Sequence, residues 1–201
     1  EQVAKSKGRM PFRLLRARET IMASTGLSVE DLPFVGELLD IKDEHRRWRV
    51  AAEVTLAGLA RIMLVDEARL DEFSVSVDTL NMHRIKFQGV HIGDGRTAVP
   101  QRGRISEVLQ FAEESPFVGW IYDRICGSSD DAQRVESPDQ LGGAALKVTP
   151  AGQTRRGKGG AAGTADVEPV IGFSNESRLA ELDEQIRAEQ AGTPSPREIQ
   201  A

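Results

Sequence analysis

The sequence begins a pattern at Phe34 and begins it again near Arg104. From Phe34 to Asp66 the residues read as strand, helix, strand, and the second run opens in the same order. Glu37-Leu38-Leu39 is echoed by Glu107-Val108-Leu109, Trp48 by Trp120 and, more faintly, Val65-Asp66 by Val135-Glu136, at an offset of roughly seventy residues. A true duplication would give two related subdomains sharing a sheet system, with internal pseudo-symmetry. Two unrelated strand–helix–strand units would also resemble each other this far, and the echo by itself does not separate the two readings.

Local signals fill in the rest. Met10-Pro11 predicts a helix start, since proline suits the first helical position, and the helix runs over Phe12 to Ser24 with Gly26 as its stop. Val35, Leu39 and Ile41 fit a strand over Phe34 to Ile41. Asp43 caps a helix from Glu44 to Leu59 whose apolar face is Trp48, Ala51, Ala52, Leu56 and Leu59. Strands follow at Arg61 to Val65 and Arg84 to Val90, with a helix from Glu67 to Asn81 between them. Gly93 to Gly103 reads as a loop, Arg104 to Phe111 as a strand, and Ser115-Pro116 opens a helix to Ile125. Ala144 to Val148 is the last predicted strand. Gly152 to Gly163 has no apolar side chain larger than alanine and predicts a mobile loop. After the apolar run Val167 to Phe173, Ser174 or Asn175 caps a helix carrying Leu179, Leu182 and Ile186 at coiled-coil spacing, broken at Gly192 to Pro196.

Hydrophobic residues make up 39% and charged residues 28%, enough for a packed core, but aromatics are only 5%, so that core must be largely aliphatic. The net charge of −5 argues against a surface coated for nucleic acid, though not against a local basic patch. The single cysteine, Cys126, excludes an intrachain disulfide and fits a reducing cytosol. Its apolar neighbours predict an inert core thiol. No apolar run reaches membrane-spanning length and no signal peptide opens the chain. Because residue 1 is not methionine, the expectation is a piece of a longer protein.

Motifs for chemistry are weak. Gly152 to Gly159 falls one residue short of a phosphate-binding loop: the eighth position needs Ser or Thr for Mg²⁺ and holds Gly159, and the residues beyond are poor helix formers. His45, His83 and His91 have no second ligand at metal-site spacing. Asp40, Asp43, Glu44, Asp66 and Glu67 lie at strand ends and helix starts, where capping accounts for them. Arg96, Arg102 and Arg104 in one loop and Arg155, Arg156 and Lys158 in another are glycine-spaced cations that suit backbone phosphates without reading sequence. Solvated loops explain them equally well.

The run Leu32 to Ile41, then Trp48-Arg49, Ala51-Ala52-Glu53, Leu56-Ala57-Gly58 and Leu64-Val65, resembles the middle of the JetC family, the MukB-like SMC subunits of the Wadjet (Jet/Ept/Mks) plasmid-defence systems. Ser115-Pro116-Phe117 with Trp120, Thr149 to Gln153, and Ile171 to Asn175 followed by Leu179 and Leu182 extend the resemblance over most of residues 11 to 187. Cys126 to Pro138 and Gly157 to Glu168 depart from the family pattern. The resemblance implies an α+β SMC-type hinge with two related subdomains, flanked by coiled-coil stubs. On that basis residues 1–26 are an incoming stub, 27–172 the hinge, 173–191 an outgoing stub and 192–201 a disordered tail.

The implied function is homodimerisation of a non-catalytic piece of an ATPase that extrudes DNA loops and acts against plasmids. ATP and Mg would belong to heads outside this chain, and kleisin, accessory and nuclease subunits would bind other regions. The implied location is cytoplasmic and DNA-associated, with no membrane partner. Isologous pairing needs an open strand edge or a close backbone approach, and Gly142-Gly143 before Ala144, Leu146 and Val148 is the expected dimerisation element. Two alternatives stand beside this: a module that contacts duplex phosphates through its arginine loops, and a small free-standing α/β enzyme.

Overall fold

The computed structural model describes residues 10–93, 95–173 and 186–192. Helix α1 (Phe12–Thr25) opens the fold, buries Leu14, Ala17, Arg18 and Ile21, and stops where Gly26 turns left-handed at φ 76°. Next come a 3₁₀ turn (Val35–Leu38), β1 (Leu39–Ile41), a 3₁₀ segment (Asp43–Trp48), α2 (Arg49–Thr55), α3 (Ala57–Ala60) and β2 (Met63–Asp66). A 3₁₀ turn (Glu67–Arg69) and α4 (Leu70–Val77) carry the chain over to β3 (Phe87–Val90), which lies parallel to β2. The second half repeats the plan with α5 (Ile105–Val108), β4 (Leu109–Phe111), α6 (Val118–Ile125), β5 (Gln133–Arg134), a 3₁₀ turn (Pro138–Gln140) and β6 (Lys147–Val148), parallel to β5. The hairpin of β7 (Thr154–Arg156) and β8 (Gly159–Ala161) has no counterpart among the described residues of the first half.

The duplication expected from the sequence is written in the hydrogen bonds. Strands β1 and β4 pair antiparallel, Leu39 opposite Phe111 and Ile41 opposite Leu109. On either side of that ladder Lys42 N–H donates to the Val108 carbonyl and Ala112 N–H to the Leu38 carbonyl, both at 2.9 Å. Moving each residue by seventy exchanges the two bonds, so a pseudo-two-fold axis passes through this seam. Val35 N–H to Ile62 O has its image in Ile105 N–H to Ala132 O, and Leu64 N–H to Pro33 O in Arg134 N–H to Gly103 O. The bridges Phe34–Met63 and Arg104–Gln133 are likewise images of each other. Trp48 and Trp120 are not: the same shift sets Trp48 against Val118, and Trp48 is buried where Trp120 is half-buried.

One aliphatic core spans both halves, with Leu39, Ile41, Leu64, Leu109, Ile121 and Ile125 buried in it. Each such side chain contributes about 1.5–3 kcal/mol by leaving water. Two glutamates explain why neither long predicted strand stays extended. Glu37 turns back to accept Phe34 N–H at 2.9 Å and is held by the Arg18 guanidinium, with Nη2 3.0 Å from its Oε2. Its image Glu107 accepts from Arg134. Each carboxylate stabilises a helical turn in the middle of an apolar run, leaving only three residues for the strand.

Other elements also differ from expectation. The helix predicted over Glu44 to Leu59 is broken at His45, whose φ of −118° is not helical, and again at Leu56. Strand β5 was not expected: it is two polar residues held by pairing on both sides. The run Gly152 to Gly163 is a hairpin and not a loop, because backbone pairing needs no apolar side chain. Leu179, Leu182 and the predicted cap at Ser174 or Asn175 lie outside the described residues, while residues 186–192 are helical and exposed.

Candidate assembly interface

Among the strand edges without a backbone partner in the described residues, two lie on strands with exposed residues side by side, β8 and β3. One belongs to β8. Thr149 builds the turn that launches the hairpin: its N–H donates to the Gln153 carbonyl at 3.0 Å, and its hydroxyl accepts Gln153 N–H at 3.1 Å. Gly157, at φ 60°, reverses the chain. Strand β8 then closes on β7 as the last strand in the order β5-β6-β7-β8. Its sequence is Gly-Gly-Ala and all of it is exposed, so no side chain shields its N–H and C=O groups. An edge without charge, proline or bulge is a template for another strand.

The other open edge belongs to β3, the outer member of the β2–β3 pair, where Phe87 and Gln88 are exposed. The internal symmetry gives this edge a meaning. Strand β3 takes the place of β6 by its pairing, Met63 N–H to Lys86 O matching Gln133 N–H to Leu146 O at an offset that has here shortened to sixty, and β6 is covered by β7. The first half is therefore missing a neighbour that the second half possesses.

The expected dimerisation element sits elsewhere in this scheme. Only Lys147 and Val148 of the run Ala144 to Val148 are in a strand, and that strand is interior, bonded to β5 on one side and β7 on the other. With both edges taken it cannot receive a second chain. Gly142, Gly143 and Ala144 are exposed in the approach to it, Leu146 is half-buried and Val148 is fully buried.

The six expected basic residues divide. Arg96 lies over the Tyr122 ring, 3.8 Å from its centroid, and its Nη1 is 3.2 Å from Glu113. Burial and the Glu113 carboxylate, which receives the Tyr122 hydroxyl, push the Tyr122 phenol up to about 12. Arg104 donates to the Asp131 carbonyl at 3.3 Å, and Arg156 to the Ser129 carbonyl at 3.0 Å and to Asp130 at 3.2 Å. Both loops thus meet at the turn 129–131, which their sequence separation did not suggest. Arg102, Arg155 and Lys158 are exposed.

The chain enters and leaves this fold side by side. Arg13, in the first turn of α1, contacts Glu168 at 3.2 Å. Just beyond, Glu53 is 3% exposed and its carboxylate accepts two successive backbone groups, Val170 N–H at 2.9 Å and Ile171 N–H at 3.0 Å. Arg49 donates to the Ile171 carbonyl at 2.9 Å and to Asp40 at 3.0 Å. Gly36 receives Gly172 N–H at 3.0 Å, and a Cβ on Gly36 would lie 2.7 Å from the Val170 carbonyl oxygen, so no larger residue fits. Sequence reading passed over Glu53 as part of a helix. An acid set among Ala51, Ala52 and Val54 was the available signal.

The near-match to a phosphate-binding loop runs into strand β7 and presents no helix N-terminus. Among the described residues no helix is long and apolar enough to cross a membrane. Cys126 is buried, and desolvation, then the Asp131 charge, push its thiol up to about 11.

No protein-family model and no curated protein matches the chain. Solved structures do. The Smc hinge domain of Pyrococcus furiosus with an extended coiled coil aligns over 94% of this chain and 70% of its own, at 16% identity and a TM-score of 0.50. A chain of the folded elbow of cohesin aligns over 95% of this chain at 15% identity and a TM-score of 0.54, and this chain spans 28% of it. Identity this low speaks to architecture alone, and with the duplicated α+β plan it leads to one conclusion: the chain has the fold of an SMC hinge domain.

Proposed function

We propose that the chain is a homodimerisation and assembly module at the turning point of an SMC arm. The observation that carries this reading is the pair of open edges, β3 in one half and β8 in the other. A partner's β8 set beside β3 would supply the neighbour that β3 lacks, and the two-fold operation would repeat the contact, closing the pair into a ring. The side-by-side placement of α1 and residues 168–172 suits a rod that bends back on itself. Sedimentation of the chain at micromolar concentration tests the reading: a dimer is expected, and a monomer would overturn it.

The finer reading is a hinge of the JetC family, whose ATPase heads lie outside this chain and which acts on plasmid DNA. It is supported by the ordered motifs from Leu32 to Asn175. The meeting of the two arginine loops at the turn 129–131 supports a second role, contact with duplex phosphates.

A further inference from the structure

The image of Glu53, seventy residues on, is Asp123. Asp123 Oδ1 accepts Thr97 N–H at 2.9 Å and Ala98 N–H at 2.8 Å. Glu53 does the same for Val170 and Ile171. The two carboxylates are equivalent in the duplicated plan, and each grips two successive amides of an extended segment. What they grip is reciprocal. Residues 97–98 belong to the segment that leaves the first half after β3, and the second half's α6 holds it. Residues 170–171 belong to the segment that leaves the second half after β8, and the first half's α2 holds it. The neighbouring contacts are imaged too. Gly36 takes Gly172 N–H, while its image Ser106 takes Gln101 N–H on its hydroxyl at 2.8 Å.

Beside the clips the symmetry breaks at position 49. Position 49 is arginine and its image is Gly119. Arg49 joins the Ile171 carbonyl to Asp40, and Asp40 sits in β1, at the centre of the seam between the halves. The clip on the outgoing segment is therefore joined to the seam by hydrogen bonds through Asp40, whereas the inner segment reaches it by ring stacking, Arg96 over Tyr122 and Tyr122 against Phe111 of β4.

We propose that Glu53 and Asp123 are a duplicated pair of strap clips, and that Arg49 makes the Glu53 clip a coupling device between the outgoing segment and the β1–β4 seam. Releasing the outgoing segment loosens the seam. The inference concerns a single chain and does not depend on dimerisation.

Hydrogen exchange on the 201-residue chain tests it. A charge-assisted bond is worth about 1.5–3 kcal/mol, so losing one opens an amide at least about tenfold more often. Glu53→Gln is expected to speed exchange at Val170 and Ile171 by at least about tenfold, and to speed Lys42 and Ala112 at the seam with them. Asp123→Asn is expected to speed Thr97 and Ala98 by a similar factor, leaving Val170 and Ile171 unchanged. Unchanged exchange at 170–171 in the first variant, or at 97–98 in the second, overturns the clips. Loosening of 170–171 with a silent seam overturns the coupling. Should Glu53→Gln unfold the chain outright, Glu53 is a packing residue and the coupling is overturned. The exposed Asp123 then still decides the clip assignment.

Discussion

Asp40 and Gln110 stand opposite each other at the centre of the β1–β4 ladder, seventy positions apart in sequence. Each is therefore both the partner and the image of the other, a coincidence that arises only where a two-fold axis crosses a ladder. Everything that distinguishes the halves is measured from that point: a hairpin on one side, an uncovered strand on the other.

The hairpin edge makes the first prediction. A Cβ on Gly160 would lie 2.4 Å from the Thr154 carbonyl oxygen, so Gly160→Val cannot keep β8 zipped to β7. Because β8 is exposed, the core should survive. Light scattering should report a monomer for the variant where the parent chain is a dimer, with helical circular dichroism retained.

Gly36→Ala tests the close approach beneath the outgoing segment. Its Cβ meets backbone atoms of Val170 and Ala60, which cannot swing aside. Overpacking of this kind costs about 1–3 kcal/mol, to be read as a lowered urea midpoint at unchanged slope.

Acid should open the inner clip. The Ala98 N–H holds the Asp123 carboxyl below its ordinary value of 3.8, against partial desolvation and with help from Thr97. A folded-state pKa below the unfolded one means that the stabilisation is present above pH 3.8 and is lost as pH falls through the lower folded value. Protection of Thr97 and Ala98 should therefore drop in the acid limb. In Asp123→Asn it should be low throughout and insensitive to pH.

The Cys126 thiol should be slow to react. With its pKa pushed up from 9.0 to about 11, its thiolate at pH 8 is scarcer than that of an ordinary thiol by about a hundredfold. Ellman's reagent should react fully only in denaturant. The sign of the shift also means that this group's contribution to stability fades as pH rises from the ordinary thiol value toward 11.

Removing Arg102, Arg155 and Lys158 together should weaken any binding of duplex DNA at low salt. The salt slope should fall by about one for each phosphate that is no longer neutralised. Plasmid DNA unshifted by the parent chain at low salt would dispose of the phosphate-contacting role.

The sequence carried the plan more clearly than its details. The Glu37 and Glu107 echoes were readable because a glutamate inside an apolar run is conspicuous, and Val65-Asp66 with Val135-Glu136 keeps the same offset. Trp48 and Trp120 were misleading, since large aromatics fill whatever gap a core leaves and need not descend from one position. Strand β5 and the β7–β8 hairpin were hidden because pairing through the backbone leaves no apolar signature in Gln133, Arg134 or Gly159 to Ala161. Capping was the right role for Asp66, which accepts Ala68 N–H at 3.0 Å. Asp40 instead lies in the middle of β1 and binds Arg49 from nine residues away, which no local pattern encodes.

The Gly36–Gly172 bond also sets an order of events at the ribosome. The pocket around Gly36 and Glu53 is made near the start of the fold, yet what fills it is translated well over a hundred residues later. Until then a carboxylate destined for the interior must stay hydrated. The early half therefore waits, part-finished, and only the arrival of the final stretch lets it become dry. Contacts this distant along the chain are slow to close, so a nascent chain halted after β8 should stay open to proteases that the finished one resists.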